Sequence, residues 1–440
     1  MAGPGLTEPL GARPAPTPRQ VAAIVAGNAL EFYDFLTFSF FAAQIGRTFF
    51  PSHTPGASLL AALATFGAGF LTRPVGALVI GRMADKSGRK PAMLLSFGLM
   101  GVAVLGLALT PSFAAIGVTA PVLVIGFRLL QGFALGGEVG PSTAFLLESA
   151  PPARRGFYVS LQYAGQHSAT LTAGLIGVLL SQVMSPKGLD DWGWRIALLV
   201  GALIVPFGLI LRRGLVETLG EEEPATTAPV SAGRLDLRIA VLGLVLLAAG
   251  TTVSYVMNYM TTYAATTLHM AGAPAFGATV VIGLCGVCFA PLGGWLSDRF
   301  GRRWVMIIPW AALLTLVIPA FFVISHYRTP LALFGATATM GVAANIASAS
   351  VLIAITESLP KQSRSGTLAL IYAIAISLFG GSAQFTVAWL TGVTHSSLAP
   401  AWYMAGGVFI GLLAMLAMRE TAPAKTGVAA SLDLASPVLS

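Results

Sequence analysis

Charged residues are scarce in this chain. Asp, Glu, Lys and Arg make up 10% of its 440 residues, whereas hydrophobic residues make up 55% and the mean hydropathy is +0.80. A soluble globular protein carries about 25% charged residues. The composition therefore excludes an ordinary soluble domain and indicates a protein that lies mostly within a lipid bilayer.

Cysteine is nearly absent, and motifs for catalysis and nucleotide binding are missing. Cys285 and Cys288 have no second ligand pair, so they predict small residues on an apolar helix rather than a zinc or redox site. The phosphate-binding pattern G-x-x-x-x-G-K-[ST] does not occur. Neither a nucleophile–base set nor a metal-ligand cluster can be recognised. We therefore expect no enzyme and no cofactor, and ATP is not the expected energy source.

What the chain does have is a series of apolar runs of about 20 residues, each long enough to cross a bilayer. Twelve such spans can be placed. Their predicted bounds are about 20–43, 57–80, 91–110, 119–149, 157–182, 192–213, 237–266, 274–297, 304–326, 330–355, 366–391 and 398–418.

A short basic motif occurs twice between these spans. The pattern G-x-x-x-D-[RK]-x-G-[RK]-[RK] begins at Gly81 and again at Gly294, so that Asp85 and Asp298 lie 213 residues apart. A second motif, Glu followed seven residues later by Arg, occurs from residue 148 and again from residue 357, 209 residues apart. Two unrelated motifs with nearly one spacing indicate two copies of a single unit, as in duplicated membrane transporters.

The chain is therefore predicted to be an all-α membrane protein with twelve transmembrane helices in two pseudo-symmetric six-helix bundles. The bundles cover residues 20–213 and 237–418. A Pro-, Gly- and Ala-rich segment, 1–19, predicts a disordered tail. Residues 214–236 predict a cytoplasmic linker, and residues 419–440 predict a C-terminal tail.

The basic residues are distributed unevenly about the predicted spans. Of the 25 Lys and Arg residues, six lie outside the predicted cytoplasmic loops, tails and flanks: Arg47, Arg73, Arg128, Lys187, Arg195 and Arg328. This asymmetry follows the positive-inside rule and predicts that both termini are cytoplasmic. The net charge of +8 is then a sign of topology and of attraction to anionic lipid, not of nucleic-acid binding.

The repeated motifs lie in predicted cytoplasmic loops. Positive-inside loops alone do not explain their Asp and Gly residues, so we expect them to form ion pairs and helix caps that break when this side opens. In particular, each motif Asp is expected to cap the helix that follows it, and the Glu and Arg of each second motif are expected to pair. The predicted gating residues are Gly81, Asp85, Arg89, Glu148, Arg155, Gly294, Asp298, Arg302, Glu357 and Arg364.

Ionisable residues within the spans are candidates for function, because a charge in hydrocarbon is costly. Glu31 and Asp34 lie three residues apart on one helix face. Arg128, Gln131 and Glu138 form one stripe along span 4. Burial raises the pKa of a carboxyl group and a nearby arginine lowers it, so a carboxyl group subject to both can take up and release a proton. The alternative is a static ion pair with no role in transport. Arg128 either pairs with Asp34 or Glu31, or binds an anion directly.

Other polar residues in the spans have two readings that the sequence leaves open. Arg73 either lies on the path of a transported anion or extends its side chain so that the guanidinium group reaches the membrane–water interface. The remaining side chains either line a substrate path or join neighbouring helices by hydrogen bonds. The candidates for substrate binding, besides Arg73, Arg128 and Gln131, are Asn28, Tyr33, Gln162, Gln166, His167, Tyr255, Asn258, Tyr259, Asn345 and Gln384.

At these residues the chain resembles the major facilitator superfamily, whose loop signature matches residues 81–90 and 294–303. More narrowly, it is similar to the metabolite–proton symporters. The matching segments are Gly27-Asn28, Glu31-Phe32-Tyr33-Asp34-Phe35, Phe70-Leu71-Thr72-Arg73-Pro74-Val75-Gly76, Arg128-Leu129-Leu130-Gln131-Gly132, Arg155-Gly156-Phe157-Tyr158 and Trp192-Gly193-Trp194-Arg195-Ile196. It looks most like citrate or tricarballylate–proton symporters, through segments 251–263, 356–360 and 378–381. One departure is Ala197, where the family usually has proline.

The resemblance implies a symporter that imports citrate or a similar di- or tricarboxylate with protons, by alternating access of its two halves. Asp34, Glu31 and Glu138 would carry the proton, and Arg73 and Arg128 would compensate the substrate's charge. Importers of 2-oxoglutarate, shikimate or proline and betaine are the alternatives, followed by a proton-exchanging exporter or a non-transporting receptor. We expect a monomer in the bacterial inner membrane. The identity of the carboxylate, the proton stoichiometry and carriage of a metal–citrate complex stay open.

Overall fold

The computed structural model describes residues 18–87, 89–137, 143, 146–147, 150–202, 237–360 and 364–426. Helix is the regular structure throughout these residues, and no strand occurs among them. The predicted linker, most of the predicted N-terminal tail and residues 427–440 lie outside the described ranges, as do Glu138 and Glu148. The side chains of Glu31, Gly81, Asp85 and Arg89 also lie outside what the structure describes.

The first half of the chain contains eight helices longer than one turn among its described residues. They are α1 (Pro18–Phe40), α2 (Ala42–Phe49), α3 (Ala57–Leu71), α4 (Arg73–Ser87), α5 (Arg89–Leu109), α6 (Thr119–Ala134), α7 (Arg155–Val183) and α8 (194–202). Single turns lie at Phe113–Ile116 and Pro186–Gly188, 3₁₀ turns at Leu135–Gly137 and Pro152–Arg154, and a π-helical segment at Leu189–Gly193.

The second half repeats this arrangement in its described part. Its helices are α9 (Leu237–Asn258), α10 (Met260–Thr266), α11 (Gly272–Phe300), α12 (Arg302–Tyr327), α13 (Pro330–Ser358), α14 (Arg364–Ala375), α15 (Gly381–Thr394) and α16 (Ala399–Ala417). A π-helical segment, Ile376–Gly380, joins α14 to α15, and one turn of helix follows at Pro423–Thr426. Local sequence explains several of these bounds: Thr329 caps α13 by accepting a hydrogen bond from the N–H of Ala332.

Hydropathy supports the predicted spans. Seven helical stretches among the described residues are long and apolar enough to cross a membrane. They are Ala57–Ile80, Leu237–Thr266, Gly272–Phe300, Arg302–Tyr327, Pro330–Ser358, Gly366–Thr394 and Ala399–Ala417, with shorter apolar helices at Leu94–Leu109 and Thr119–Ala134. Helices α1 and α7 are long enough but less apolar, because they carry many of the polar residues singled out from the sequence.

Among the described residues, two helix pairs make the most extensive contacts between the halves. Helix α7 packs against α11, and α3 packs against α15. Small residues allow this close approach: a Cβ on Gly283 would overlap the backbone of Leu171, and one on Gly67 would overlap the carbonyl oxygen of Gly381. At the start of the π-helical segment, the Ser377 hydroxyl donates to the carbonyl oxygen of Phe70 at 3.0 Å. Close packing of small residues replaces the hydrophobic effect as the attraction between helices within a bilayer.

We predict that Gly132→Ala destabilises the first half. A Cβ at this position would overlap the carbonyl oxygen of Gly69, which is backbone and cannot rotate away. Overpacking of this kind costs about 1–3 kcal/mol, so the unfolding temperature in detergent should fall by several degrees. Gly98→Ala is the matched control, because nothing lies within 4 Å of its added Cβ. Equal unfolding temperatures for both variants would contradict the close α3–α6 contact.

Candidate functional site

A cavity of about 80 Å³ lies between the two halves. Helices α1 and α7 line it from the first half, and α9, α11, α12, α13 and α14 line it from the second. Its polar lining consists of Tyr163, Gln166, His167, Thr170, Thr251, Ser254, Tyr255, Asn258, Asn345, Ser348 and Tyr372. No Asp, Glu, Lys or Arg occurs among the described residues that line it. The cavity therefore has a mixed polar and apolar lining, with no charged side chain among the described residues.

Helical periodicity places these side chains. On α7 the lining residues are 163, 166, 167 and 170; on α9 they include 251, 254, 255 and 258; on α13 they include 341, 344, 345 and 348. Each set follows the spacing i, i+3, i+4, i+7, which puts all four positions on one helix face. Five predicted binding residues lie on these faces: Gln166, His167, Tyr255, Asn258 and Asn345. The same spacing is a signal that would have identified Ser254 and Ser348.

Hydrogen bonds order part of the lining. The side chains of Gln166 and Tyr372 approach each other between the halves, and the imidazole of His167 approaches the Asn345 side chain. The Asn345 Nδ2 donates to the carbonyl oxygen of Gly341 at 2.8 Å. Sequence reasoning missed Tyr372, since a single tyrosine in an apolar span carries no distinguishing pattern.

Eight of the thirteen predicted binding residues do not line the cavity. Arg73, Arg128 and Gln131 are described below; the other five are Asn28, Tyr33, Gln162, Tyr259 and Gln384. The Asn28 Nδ2 donates to the carbonyl oxygen of Gln162 at 2.9 Å, joining α1 to α7. The Tyr33 hydroxyl donates to the carbonyl oxygen of Ala197 at 2.9 Å, joining α1 to α8. Tyr259 is buried beyond the lined face of α9, beside the start of α10. The helical spacing of these residues was compatible with a position on the cavity wall, but the helix face on which each one lies packs against a neighbouring helix instead.

Gln384, the fifth of these residues, joins the halves. Its Oε1 accepts a hydrogen bond from the Ser39 hydroxyl at 2.7 Å, and its Nε2 donates to the carbonyl oxygen of Tyr255 at 3.3 Å. It thus holds α15 to α1 and α9 directly beside the cavity. Its position makes it a support for Tyr255 and not part of the lining.

Arg73 and Arg128 lie behind Tyr255 in an aromatic cage formed by Phe35, Phe38, Phe66 and Phe70. The guanidinium carbon of Arg73 lies 4.5 Å and 4.6 Å from the ring centroids of Phe35 and Phe70. That of Arg128 lies 4.4, 4.6 and 5.0 Å from those of Phe35, Phe38 and Phe66. Ring faces attract a cation, more strongly where water is excluded.

Tyr255 connects this cage to the cavity. Its ring lies 6.0 Å from Phe66 and 5.6 Å from Phe70, centroid to centroid, and it also lines the cavity. Arg128 is fully buried, and it donates to the Gln131 Oε1 and, at 3.4 Å, to the carbonyl oxygen of Phe66. Arg73, Arg128 and Gln131 therefore lie one aromatic side chain away from the cavity and not on its wall.

Asp34 lies on a different face of α1. Its Oδ1 is buried without a hydrogen-bond partner among the described residues, and a Cβ on Gly201 would overlap this atom. The carboxyl group therefore packs against the backbone of α8. No ion pair joins Asp34 to Arg128 in the described part of the chain. Of the alternatives that the sequence leaves open for Arg128, the pair with Asp34 is therefore not formed in this conformation, because Asp34 faces α8 whereas Arg128 faces the rings of Phe35 and Phe38.

The end of the bundle that carries the repeated motifs is closed by a network across the halves. Asp298, at the end of α11, accepts hydrogen bonds from the N–H groups of Gly156 and Phe157 at 2.8 and 2.9 Å. Its carboxylate thus caps α7 of the other half, where the helix dipole favours negative charge. Gly156 and Gly294 touch backbone to backbone, and a Cβ on either would overlap the other.

Arg302 organises the second-half side of this network. Its Nη1 donates to Asp298 Oδ1 at 2.7 Å, while its Nε and Nη2 donate to both oxygens of Glu357 at 3.1 and 3.0 Å. The expected pairing of Glu357 with Arg364 is corrected: Arg364 Nη2 donates to the carbonyl oxygen of Leu359 at 3.2 Å. A planar guanidinium can satisfy two carboxylates at once, which explains why the motif arginine takes this place.

Residues 419–422 belong to the network as well, although the sequence predicted a tail. Glu420 accepts hydrogen bonds from the N–H groups of Arg302 at 2.8 Å and Arg303 at 3.1 Å. It therefore caps α12, a role that the sequence analysis assigned to Asp298. The Thr421 hydroxyl donates to Glu357 at 2.8 Å. Gly301 has φ of +100°, and a Cβ there would lie 2.7 Å from Glu420, so glycine is required on both counts.

The remaining predicted gating residues are Arg155 and the first-half counterparts of this network. Arg155 begins α7, and its Nε is buried without a hydrogen-bond partner among the described residues. The first-half counterparts Gly81, Asp85, Arg89 and Glu148 lie outside the described side chains.

Hydrogen bonding governs the ionisation of Glu420. Burial raises the pKa of its carboxyl group, but hydrogen bonds from the N–H groups of Ala422, Arg302, Arg303 and Thr421 outweigh burial and hold the pKa below its ordinary value of 4.5. The ionised form is therefore the one that caps α12.

Comparison with known proteins agrees with this architecture. Residues 24–290 match the family model described as Major Facilitator Superfamily. The chain is 35% identical over 399 residues to a citrate-proton symporter of Klebsiella pneumoniae, with 90% of each chain covered. It is 34% identical over 413 residues to an alpha-ketoglutarate permease of Escherichia coli (92% of this chain, 95% of the relative) and 32% identical over 438 residues to a proline/betaine transporter of Salmonella typhimurium (94% and 86%).

The solved structures agree on the fold. The partially occluded inward-open conformation of the Escherichia coli xylose transporter XylE aligns with a TM-score of 0.76 at 16% identity, covering 92% of this chain and 98% of that one. Two helical halves enclosing a central cavity define a membrane transporter of the alternating-access type. The chain belongs to the major facilitator superfamily, and the predicted fold class of twelve helices in two halves is confirmed.

We predict that Asp298→Asn loosens the closed end. The amide cannot accept both N–H bonds of α7 and loses its charge beside Arg302, a change worth about 2–5 kcal/mol for a buried pair. In a Cys285→Ala, Cys288→Ala background, Ser160→Cys places a thiol beside Gly294, where Ser160 is fully buried. Its reaction with a water-soluble maleimide should accelerate about tenfold or more, as 1.4 kcal/mol corresponds to a factor of ten.

The control for this experiment is Asp190→Asn, which breaks the exposed Arg47–Asp190 ion pair elsewhere in the first half. An exposed pair contributes about 0–1 kcal/mol, so the thiol should react at the unmodified rate. Equal rates for Asp298→Asn and the parent would show that Asp298 does not hold this end closed.

We predict a pH-dependent effect for Glu420→Gln. The folded-state pKa of Glu420 is depressed, so its stabilisation is present above its unfolded-state pKa and lost as pH falls through the folded-state pKa. The variant should unfold at a lower temperature than the wild type near neutral pH, and the difference should narrow below about pH 4. Arg419→Gln is the neighbouring control. A difference that is constant with pH would contradict capping by the ionised carboxylate.

Proposed function

We propose that this protein is a proton-coupled symporter that imports citrate or a similar di- or tricarboxylate by alternating access. The observation that carries the proposal is the cavity between the halves, whose lining includes polar side chains, with the buried cations of Arg73 and Arg128 one ring away. The relatives named citrate-proton symporter and alpha-ketoglutarate permease support the substrate class.

Charge compensation explains why this arrangement suits a carboxylate. An anion with two or three charges cannot enter hydrocarbon without compensation. Two guanidinium groups close to the cavity make its potential positive, and this potential reaches far because the surroundings have a low dielectric constant. The neutral lining supplies amide, hydroxyl and imidazole donors that orient the anion. Arginine suits the role because it stays charged where other cations would lose their proton.

The closed motif end fits the import cycle. With this end placed in the cytoplasm, Asp298 and Arg302 would separate from α7 each time the site opens inward. Opening would release the N-terminus of α7 from its cap while Arg302 keeps Glu357 as a partner. Asp34, Glu31 and Glu138 are the carboxyl groups proposed to carry the coupled proton. The protein would act as a monomer in the bacterial inner membrane, with both termini cytoplasmic and no cofactor.

A second substrate class is favoured by a specific observation. Five aromatic residues line the cavity, namely Phe32, Tyr163, Tyr255, Trp310 and Tyr372, and no charged residue lies among its described lining. Aromatic faces recognise quaternary ammonium groups, so a zwitterion such as betaine is the second candidate. The proline/betaine transporter relative is consistent with it.

The test is uptake into proteoliposomes. We expect radiolabelled citrate to accumulate when an inward proton gradient is imposed and to stop accumulating when a protonophore removes the gradient, because entry of the anion is driven by the proton. Unlabelled 2-oxoglutarate and betaine serve as competitors. Gradient-dependent accumulation of betaine without citrate uptake would replace the first substrate class by the second. Accumulation of neither, in folded protein, would refute both.

Arg128→Gln tests the role of the cation in the same assay. Removing a buried charge close to the anion should reduce citrate uptake at least about tenfold while leaving any betaine uptake less affected. Arg195→Gln is the matched control, since Arg195 also stacks on aromatic rings, 4.2 Å from the centroid of Trp194, but far from the cavity. Thermal unfolding of both variants checks that they are folded.

A further inference from the structure

His167 lines the cavity from the first half and extends to helices of the second half. It extends from α7 of the first half to α11 and α13 of the second. On α11 it occupies the space that a side chain on Gly286 would fill, because a Cβ there would overlap the imidazole ring. On α13 it meets Asn345. Glycine at position 286 is thus what allows the ring to reach the cavity.

The hydrogen bonds of the ring are incomplete. Asn345 Nδ2 donates to the carbonyl oxygen of Gly341, which leaves its Oδ1 to accept an N–H from the imidazole. The His167 Nδ1 is buried and has no hydrogen-bond partner among the described residues. A protonated imidazole donates from both nitrogens. Its second N–H has no acceptor among the described residues. Because Nδ1 is closed to the cavity in this conformation, an anion reaches it only when the packing between the ring and α11 opens.

Among the described residues that line the cavity around His167 there are titratable groups but no Asp, Glu, Lys or Arg. Facing it across the cavity are Tyr255 from α9 and Tyr372 from α14, with Tyr163 on its own helix. On α11, Cys285 and Cys288 are neighbours of Gly286, and on α13 the facing group is the neutral Asn345. From α1, the apolar side chain of Phe32 lines the cavity. The Glu31 side chain lies outside the described part of the chain. Among the described lining residues, histidine alone changes charge between about pH 5 and pH 8.

From these contacts we infer that His167 binds a carboxylate group of the substrate as imidazolium, held by Asn345 on one side, so that a proton enters the cavity together with the anion. This inference rests on the proposed carboxylate function and deepens it. The anion supplies both the missing hydrogen-bond acceptor and the opposite charge. Because binding linkages are reciprocal, the proton raises the affinity for the carboxylate by the factor by which the carboxylate raises the affinity for the proton.

The proton is conserved through this step. It is taken from the solution on the side where the substrate enters, it resides on the imidazole while the carboxylate is bound, and it leaves when the substrate leaves. No bond of the substrate changes. Proton binding at His167 depends on substrate, which distinguishes it from a proton carried on Asp34, whose carboxyl group lies outside the cavity.

The experiment measures the KM for substrate exchange as a function of pH in proteoliposomes without a gradient. The probe is a dicarboxylate, 2-oxoglutarate, used between about pH 6 and pH 8, where both carboxyl groups are ionised because an alkyl carboxyl group has a pKa of about 4.3. In the wild type, KM should rise with pH by up to about tenfold per pH unit, as expected for one linked proton. In His167→Gln, KM should be raised at low pH and should depend less on pH than in the wild type.

Two controls accompany this variant. His326→Gln removes a histidine that lies at the end of α12 and outside the cavity lining, and it should keep the wild-type pH profile. Gly286→Ala displaces the ring without changing its chemistry and should flatten the profile, whereas Gly335→Ala adds its Cβ where nothing lies within 4 Å and should not. Gly286 is thus tested as a positioning residue for His167.

A second measurement does not depend on transport. Purified protein in weakly buffered detergent should take up protons when 2-oxoglutarate is added, and His167→Gln should take up fewer, by at most one per bound substrate. If folded His167→Gln shows the same pH dependence of KM and the same proton uptake as the wild type, this inference is overturned and the proposed function is unaffected. Absence of carboxylate exchange or binding by the wild type would refute the proposed function, and this inference with it.

Discussion

Hydrocarbon offers no partner to a charge or to a backbone hydrogen-bonding group, and most features of this protein follow from that constraint. The backbone satisfies itself by forming helices across every apolar run that the structure describes. Each buried charge must then find a partner inside the protein. Arg128 finds aromatic faces, a glutamine and a carbonyl oxygen, and Arg302 finds two carboxylates. The few charged residues of the chain therefore indicate its candidate functional sites.

The same constraint leads to different interactions at the motif end of the bundle and at the central cavity. At the motif end, opposite charges pair within the second half, and one of the paired carboxylates caps a helix of the first half. Such contacts are strong when made and costly when broken singly, so they suit a closed state that must release as a unit. In the centre, the cations are held away from the wall by Tyr255. A cavity without fixed opposite charge can bind an anion without also trapping it.

The duplicated sequence produces an asymmetric site. Five of the seven helices that line the cavity belong to the second half, while the cation cage is built from the first. Two copies of one unit thus have separate tasks: one supplies charge, and the other supplies most of the neutral donors and aromatic surface. The closed end shows a similar division, since the acceptor of the cap comes from α11 and the donors from α7. Glu420 adds a contribution from beyond the last helix, and it has no repeat partner in the first half's described residues.

The sequence by itself determined the class of this protein. Apolar runs of membrane length, the repeated motifs and the uneven basic residues predicted the all-α architecture and its two halves, because these depend on local hydropathy and on spacing along the chain. It also identified Gln166, His167, Tyr255, Asn258 and Asn345, which do line the cavity. Only the tertiary structure decided that Asn28, Tyr33 and Gln384 join helices instead, and that Glu420 rather than Asp298 caps α12. The physical reason is that helical periodicity sets which residues share a face, whereas the packing of whole helices sets what that face meets.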